Sequence, residues 1–333
     1  MSWRLLLVAA GTAVGVVAAG CDGNDDVVVA QDGTSEAADD ATGTDADADL
    51  DNGADADADA DAGIDAESDT AADAEAEADD GRPRLGDVDD EGRTLVWVDE
   101  FDGPEIDRSV WGNELGLVRN DEEQYYTDEP ANQYVEDGKL VIAGLPGGHE
   151  GQGNYTSASL TTEGHVEFRY GRLEARIRVP GAQGSWPAFW LLPVNKDDYA
   201  GYPPYGSWWP AGGEIDVMEF VSQDAHTVYG TIHFLRDDAH DSSGGSEALG
   251  EPVSADYHVF AIEWTATTID WFVDETHYHT FDISDPIDGL TPFDDPFYVI
   301  LNYAIGGSWP EDPDPSLYPQ RMLVDWVRYW SAG

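Results

Sequence analysis

Cysteine is almost missing from this chain: Cys21 is the only one in 333 residues. An intrachain disulfide framework is therefore excluded, and packing and hydrogen bonds have to hold the fold. Cations are scarce too, with 15 Lys and Arg against 69 Asp and Glu and a formal net charge of −54. So acidic a chain repels phosphate and sulfate, which sets aside nucleic acid and acidic polysaccharides as partners. Long helical periodicity is also lacking, which argues against helical bundles and alternating βα folds. The one extended apolar run, Leu5 to Ala19, follows Arg4 and ends in small residues. It is too short to span a bilayer in a mature protein, so residues 1–20 read as an export signal.

The lone thiol comes directly after that signal. Ala18-Ala19-Gly20-Cys21 resembles the lipobox of bacterial lipoproteins, with Ala where Leu is commoner, and the resemblance implies a lipidated Cys21 and anchorage at a cell surface or outer membrane. From Asp22 to Glu91 there are no aromatic residues, and an Asp-Ala alternation runs from Asp45 to Asp61. Such a segment cannot bury a core and its charges repel, so residues 21–91 are expected to be a disordered acidic tether. Fully extended it would reach at most roughly 230 Å. Asp57-Ala58-Asp59-Ala60-Asp61 begins like a calcium-binding EF-hand loop, but Gly63 comes one residue late and Ser68 stands where the bidentate glutamate belongs.

Residues 92–333 suit one large domain, and every tryptophan except Trp3 falls within them. The domain keeps 42 acids against 12 bases. Its pattern is that of strands: Glu167 to Tyr170, Arg172 to Val179, Thr227 to Leu235, Tyr257 to Thr265, Thr268 to Val273, Tyr278 to Phe281, Phe297 to Ala304 and Met322 to Trp330. Many short strands parted by Gly, Pro, Asp and Asn predict an all-β sandwich. A curved sandwich offers a concave face on which Trp and Tyr can stack against sugar rings.

The most informative stretch is Glu214-Ile215-Asp216-Val217-Met218-Glu219, three acids on an apolar run. Burying such acids is costly unless they face a cleft. Alternation puts Glu214 and Asp216 on one face, but the third acid arrives one residue late, and a β-bulge would return Glu219 to that face. Two glutamates on one strand that lean together fit retaining glycoside cleavage, which needs carboxyls about 5 to 5.5 Å apart. Trp208 and Trp209, in a Gly/Pro-rich loop beside the acids, are expected to be exposed.

With Trp209-Pro210-Ala211-Gly212-Gly213 before it, this motif resembles the catalytic motif of glycoside hydrolase family 16, in the bulged branch that contains laminarinases. Asn120 to Thr127, Tyr170 to Ile177, Trp186 to Trp190 and Asn302 to Pro310 resemble endo-β-1,3-glucanases in the same order. The resemblance implies a concanavalin-like β-jelly roll with a concave substrate cleft, and endo-hydrolysis of laminarin-type β-1,3-glucan by a monomer. It implies Glu214 as nucleophile, Glu219 as acid/base and Asp216 between them, with no cofactor for catalysis. It also implies Trp209 and Trp186 as stacking platforms, Asn120 and Arg172 as hydroxyl ligands, His233 as a polar cleft residue, and a structural calcium held by Asp325 and main-chain oxygens near Glu100 and Gly138. Ser159 departs from the family, where Arg is common, and Lys196 to Tyr205 matches no family segment. Mixed-linkage glucan, galactan, transglycosylation and sugar binding without catalysis stay open as alternatives.

The lipobox resemblance generates a test. Replacing Cys21 by Ala is expected to shift the protein from the membrane to the soluble fraction on fractionation, since one residue carries all the acyl chains.

Overall fold

Strand-forming runs lay the described residues, 81–202 and 206–332 of the computed structural model, into two β-sheets packed face to face. The export signal, Cys21 and the Asp-Ala stretch lie outside the described residues. The seven-stranded sheet has the order Ala239–Ala248, Thr227–Arg236, Glu214–Glu219, Ser185–Pro193, Phe297–Ile305, Ser159–Thr161, Gly112–Glu114. Gly171–Arg178, Gln320–Trp330 and Leu140–Pro146 run through the middle of the ten-stranded sheet. Pairing is antiparallel except between Gln124–Tyr126 and Tyr155–Ser157. The expected all-β jelly-roll sandwich is what forms.

Between the sheets lies one apolar core. Leu173, Ala175 and Ile177 from the ten-stranded sheet meet Phe189, Leu191, Ile215, Val299 and Leu301 from the seven-stranded sheet. Odd positions of Ser185–Pro193 and Phe297–Ile305 point into this core. Even positions carry Trp186, Ala188, Trp190, Asn302 and Ala304 to the opposite face, where the pocket lies. Both faces are covered, so Ser185–Pro193 is buried from end to end. That is why this strand shows no polar alternation in sequence.

Seven of the expected strand runs are strands, with no end moved by more than two residues. Glu167 to Tyr170 is not one: Phe168 makes a single bridge to Phe297, and Tyr170 turns to φ +59°, which ends any extended run. The strand Ala239–Ala248 gave no apolar signal at all. It is held by a ladder along its whole length, from Thr227↔Ala248 to Arg236↔Ala239. Gly245 in it is required by space, because a Cβ there would stand 2.6 Å from Cβ of His279.

The domain also begins earlier than its composition indicates, at Pro83 rather than Gly92. Leu95 N–H donates to Asp87 O and Gly86 N–H to Leu95 O, both at 2.8 Å, while Arg93 pairs with Asp89. Asp-rich composition hid this turn, since its acids serve a local ion pair and backbone caps.

The bulge is where the sequence places it. Against Thr227–Arg236 the register passes from Asp216↔Thr231 to Glu219↔Tyr229, so three steps on one strand face two on the other. Val217 and Met218 both turn into the core, and Glu219 returns to the pocket face. At the start of the bulge, the Asp216 carbonyl accepts from Trp271 Nε1 at 2.8 Å, across the core from the other sheet. Gly230 makes room: a Cβ there would stand 2.3 Å from Trp271 Cδ1.

Removing that donor leaves a buried carbonyl unsatisfied. Trp271→Phe is expected to cost about 1–3 kcal/mol in urea unfolding, and Gly230→Ala to destabilise by at least as much through overlap with the indole.

Candidate active site

Two glutamates and an aspartate on Glu214–Glu219 open into a pocket lined also by Asn120, Trp186, Trp190, His233 and Trp309. All three acids are held by named partners. Trp209 Nε1 donates to Glu214 Oε2 at 2.9 Å, and Trp186 Nε1 donates to Glu219 Oε1 at 3.0 Å. Asp216 is hydrogen-bonded to Glu214, and its Oδ2 lies 3.1 Å from His233 Nε2. His233 reaches this place because Glu214 and His233 face each other in the ladder.

Burial dominates the electrostatics. It pushes Glu214 up to about 7 and Glu219 up to about 8, and the Asp216 charge is the second cause for both. Asp216 moves upward for the same reason, eased by its hydrogen bond with Glu214. His233, the Trp209 N–H and Arg119 draw Glu214 back down. Three buried carboxyls this close cannot all be charged, so the set holds protons near neutral pH.

Beneath the pocket a polar chain fixes its floor. Trp190 Nε1 donates to Asn302 Oδ1 at 2.7 Å, Asn302 Nδ2 to the Tyr126 hydroxyl at 2.8 Å, and that hydroxyl to Glu122 Oε2 at 3.1 Å. Asn120 Nδ2 donates to the other oxygen of Glu122 at 3.3 Å. Arg119 lies over the Trp190 ring at 4.8 Å and pairs with Glu114, which also accepts from Ser159 Oγ. Ser159, where the family often has Arg, thus anchors the partner of another arginine in the same cleft.

The predicted site residues divide. Glu214, Asp216, Glu219, Asn120, Trp186 and His233 come together in the pocket. Trp209, expected to be exposed, is 8 % exposed and is not part of the pocket lining; its indole donates to Glu214. Trp208 is half-buried, with Lys196 over its ring at 5.3 Å. Arg172 is misplaced by the sequence reading. It stands on the other sheet, bound to Glu174 and Glu263, because Gly171–Arg178 belongs to the ten-stranded sheet. Of the calcium set, the Asp325 carboxylate pairs with Arg176 and lies 3.8 Å from the Lys139 ammonium. Arg119, Glu122, Trp190, Asn302 and Trp309 line the pocket without having been singled out. Of these, Trp190 was legible, as it shares the even face with Trp186.

Two glutamates on one pocket face, each oriented by its own indole donor and both pushed upward by burial, supply the carboxyl pair that glycosidic bond cleavage asks of an enzyme. Set in a β-sandwich cleft, the pair defines a glycoside hydrolase. Comparison takes this further: the chain belongs to the glycosyl hydrolases family 16, whose model matches residues 105–328. It is 40% identical over 256 residues to a beta-glucanase of Rhodothermus marinus, covering 71% of this chain and 84% of that one. A glucan endo-1,3-beta-glucosidase of Cryptopygus antarcticus is 36% identical over 71% of this chain and 92% of its own. The catalytic domain of an endo-1,3-beta-glucanase from Thermotoga petrophila RKU-1 superposes with a TM-score of 0.65 at 40% identity, over 72% of this chain and 98% of that one.

The raised carboxyls make stability depend on pH. A carboxyl whose folded value lies above its unfolded value stabilises fully below the latter and loses that contribution as pH rises through the former. For Glu219 this window runs from 4.5 to about 8. The melting temperature is expected to fall across that window, and Glu219→Gln, which never charges, is expected to flatten the fall and melt higher than the parent at pH 8.5.

Proposed function

We propose that the protein is an endo-acting, retaining β-1,3-glucanase. The observation that carries this reading is the bulged strand, which presents Glu214 and Glu219 to one pocket with a separate indole donor on each. Trp209 holds one oxygen of Glu214 and leaves the other to attack the anomeric carbon. Glu219 delivers its proton to the leaving oxygen as the bond breaks, and Asp216 beside it favours its protonated form. The glycosyl-enzyme is then hydrolysed by a water that Glu219, now a base, deprotonates.

The substrate reading draws on the relatives named as β-1,3-glucanases and on charge. A domain with 42 acids against 12 bases favours a neutral glucan over a sulfated chain. Trp309, half-buried at the pocket and edge to face with Trp186 at 5.7 Å, offers apolar surface to sugar rings. Export and a lipid on Cys21 would place this activity at the cell surface, a reading supported by residues 1–21 alone.

Laminarin is expected to give mid-length oligosaccharides early, with agarose untouched; the reverse would reject the substrate. The two glutamates are chemically unequal. Glu214→Ala with azide is expected to yield the inverted α-glycosyl azide, whereas Glu219→Ala acting on an activated aryl glycoside should yield the retained β-glycosyl azide. Product anomers read by NMR decide the roles, and opposite anomers would exchange them.

A further inference from the structure

The mechanism leaves one histidine of the site without a task. His240 lies half-buried on the edge strand Ala239–Ala248, diagonal to His233 on the neighbouring strand. Its Nε2 is 2.9 Å from His233 Nδ1, with the rings stacked at 5.1 Å and 25°. The Trp209 indole packs on the same imidazole, centroids 4.8 Å apart. A closed ring results: Glu214 to Asp216, Asp216 to His233, His233 to His240, His240 to Trp209, and Trp209 back to Glu214.

A neutral His233 has two ways to meet Asp216. With its proton on Nε2 it brings an N–H to within 3.1 Å of the carboxylate oxygen and favours the charged aspartate. With its proton on Nδ1 it turns a lone pair toward Asp216, which then has to carry a proton of its own. The neighbour at Nδ1 chooses between them, because an N–H directed there is compatible only with the first. We propose that His240 is a positioning residue that donates from Nε2 to His233 Nδ1, fixes the Nε2–H tautomer of His233, and thereby favours the charged form of Asp216 beside the acid/base Glu219. This rests on the roles proposed above for the two glutamates.

The charge on Asp216 is the second cause, after burial, that keeps Glu219 protonated near neutral pH. The other ionisable groups facing this ring are Glu214 on the same strand, Arg119 acting on Glu214 across the pocket, and Tyr278 from the opposite sheet, on which Glu219 acts. The contact at His233 Nδ1 is His240 Nε2, so the tautomer is set between these two rings.

The test uses the full chain with two substitutions. His240→Phe keeps a ring against Trp209 and removes the donor, and His240→Gln restores an N–H. In the Phe variant the alkaline limb of kcat/KM on laminarin is expected to move down by about 0.5–1 pH unit, with kcat at pH 7.5 reduced about 3- to 10-fold and KM within about twofold. The Gln variant should recover most of the limb. Nitrogen-15 spectra of the imidazoles should show His233 protonated at Nε2 in the parent and the Gln variant, and mixed in the Phe variant. A folded Phe variant with an unmoved limb and an unchanged tautomer overturns the proposal. If that variant does not fold, the parent spectrum decides: Nδ1-protonated His233 overturns it and Nε2-protonated His233 supports it. A chain that cleaves no glucan would instead reject the substrate reading, and the tautomer measurement would still decide the role of His240.

Discussion

One extra residue in one strand sets the geometry of the whole site. Without the bulge after Asp216, Glu219 would point into an apolar core and Met218 into the cleft. The bulge interrupts the ladder at a buried position, and the Asp216 carbonyl there is met by the Trp271 indole from the far sheet. The active site is thus tied through the core to the sheet that carries no catalytic group. Gly230 belongs to the same constraint, since the indole reaches the bulge only where the facing residue has no side chain.

Around the bulge, acids are placed where a soluble domain normally avoids them. Burial costs three carboxyls their charge in part, and the response is a set of single, directed donors in place of full ion pairs. Each glutamate receives one indole N–H, which orients it without neutralising it. An arginine against Glu219 would hold it ionised and unfit for the acid role proposed above. Arg119, the cation in the pocket lining, is instead engaged by Glu114 and stacked on Trp190. It therefore acts on Glu214 from a distance, in the direction a nucleophile requires.

The floor under the substrate follows a different rule. Trp190, Asn302, Tyr126 and Glu122 form a chain in which each donor has its acceptor, and its far end carries Asn120 at the pocket rim. Such a network is stable only when complete. It joins strands from both sheets, so the rim residue and the aromatic floor are held in register with each other.

Local pattern alone determined the fold class, most strands of the domain and the three acids that share one pocket face. Apolar alternation has a period that any strand must obey, and a third acid one residue out of step announces the bulge. Local pattern could not place Arg172, whose neighbours in sequence resemble a cleft segment but whose strand pairs into the other sheet. Nor could it find Ala239–Ala248 and His240, since Asp, Ser and Gly form a strand there only because a complete ladder is offered to them. Trp209, expected on the surface, is buried with its N–H on Glu214. These were decided by tertiary structure for one reason: which sheet a strand joins, and which buried donor meets which acid, depend on contacts between residues far apart in the chain. Sequence spacing carries no measure of that distance.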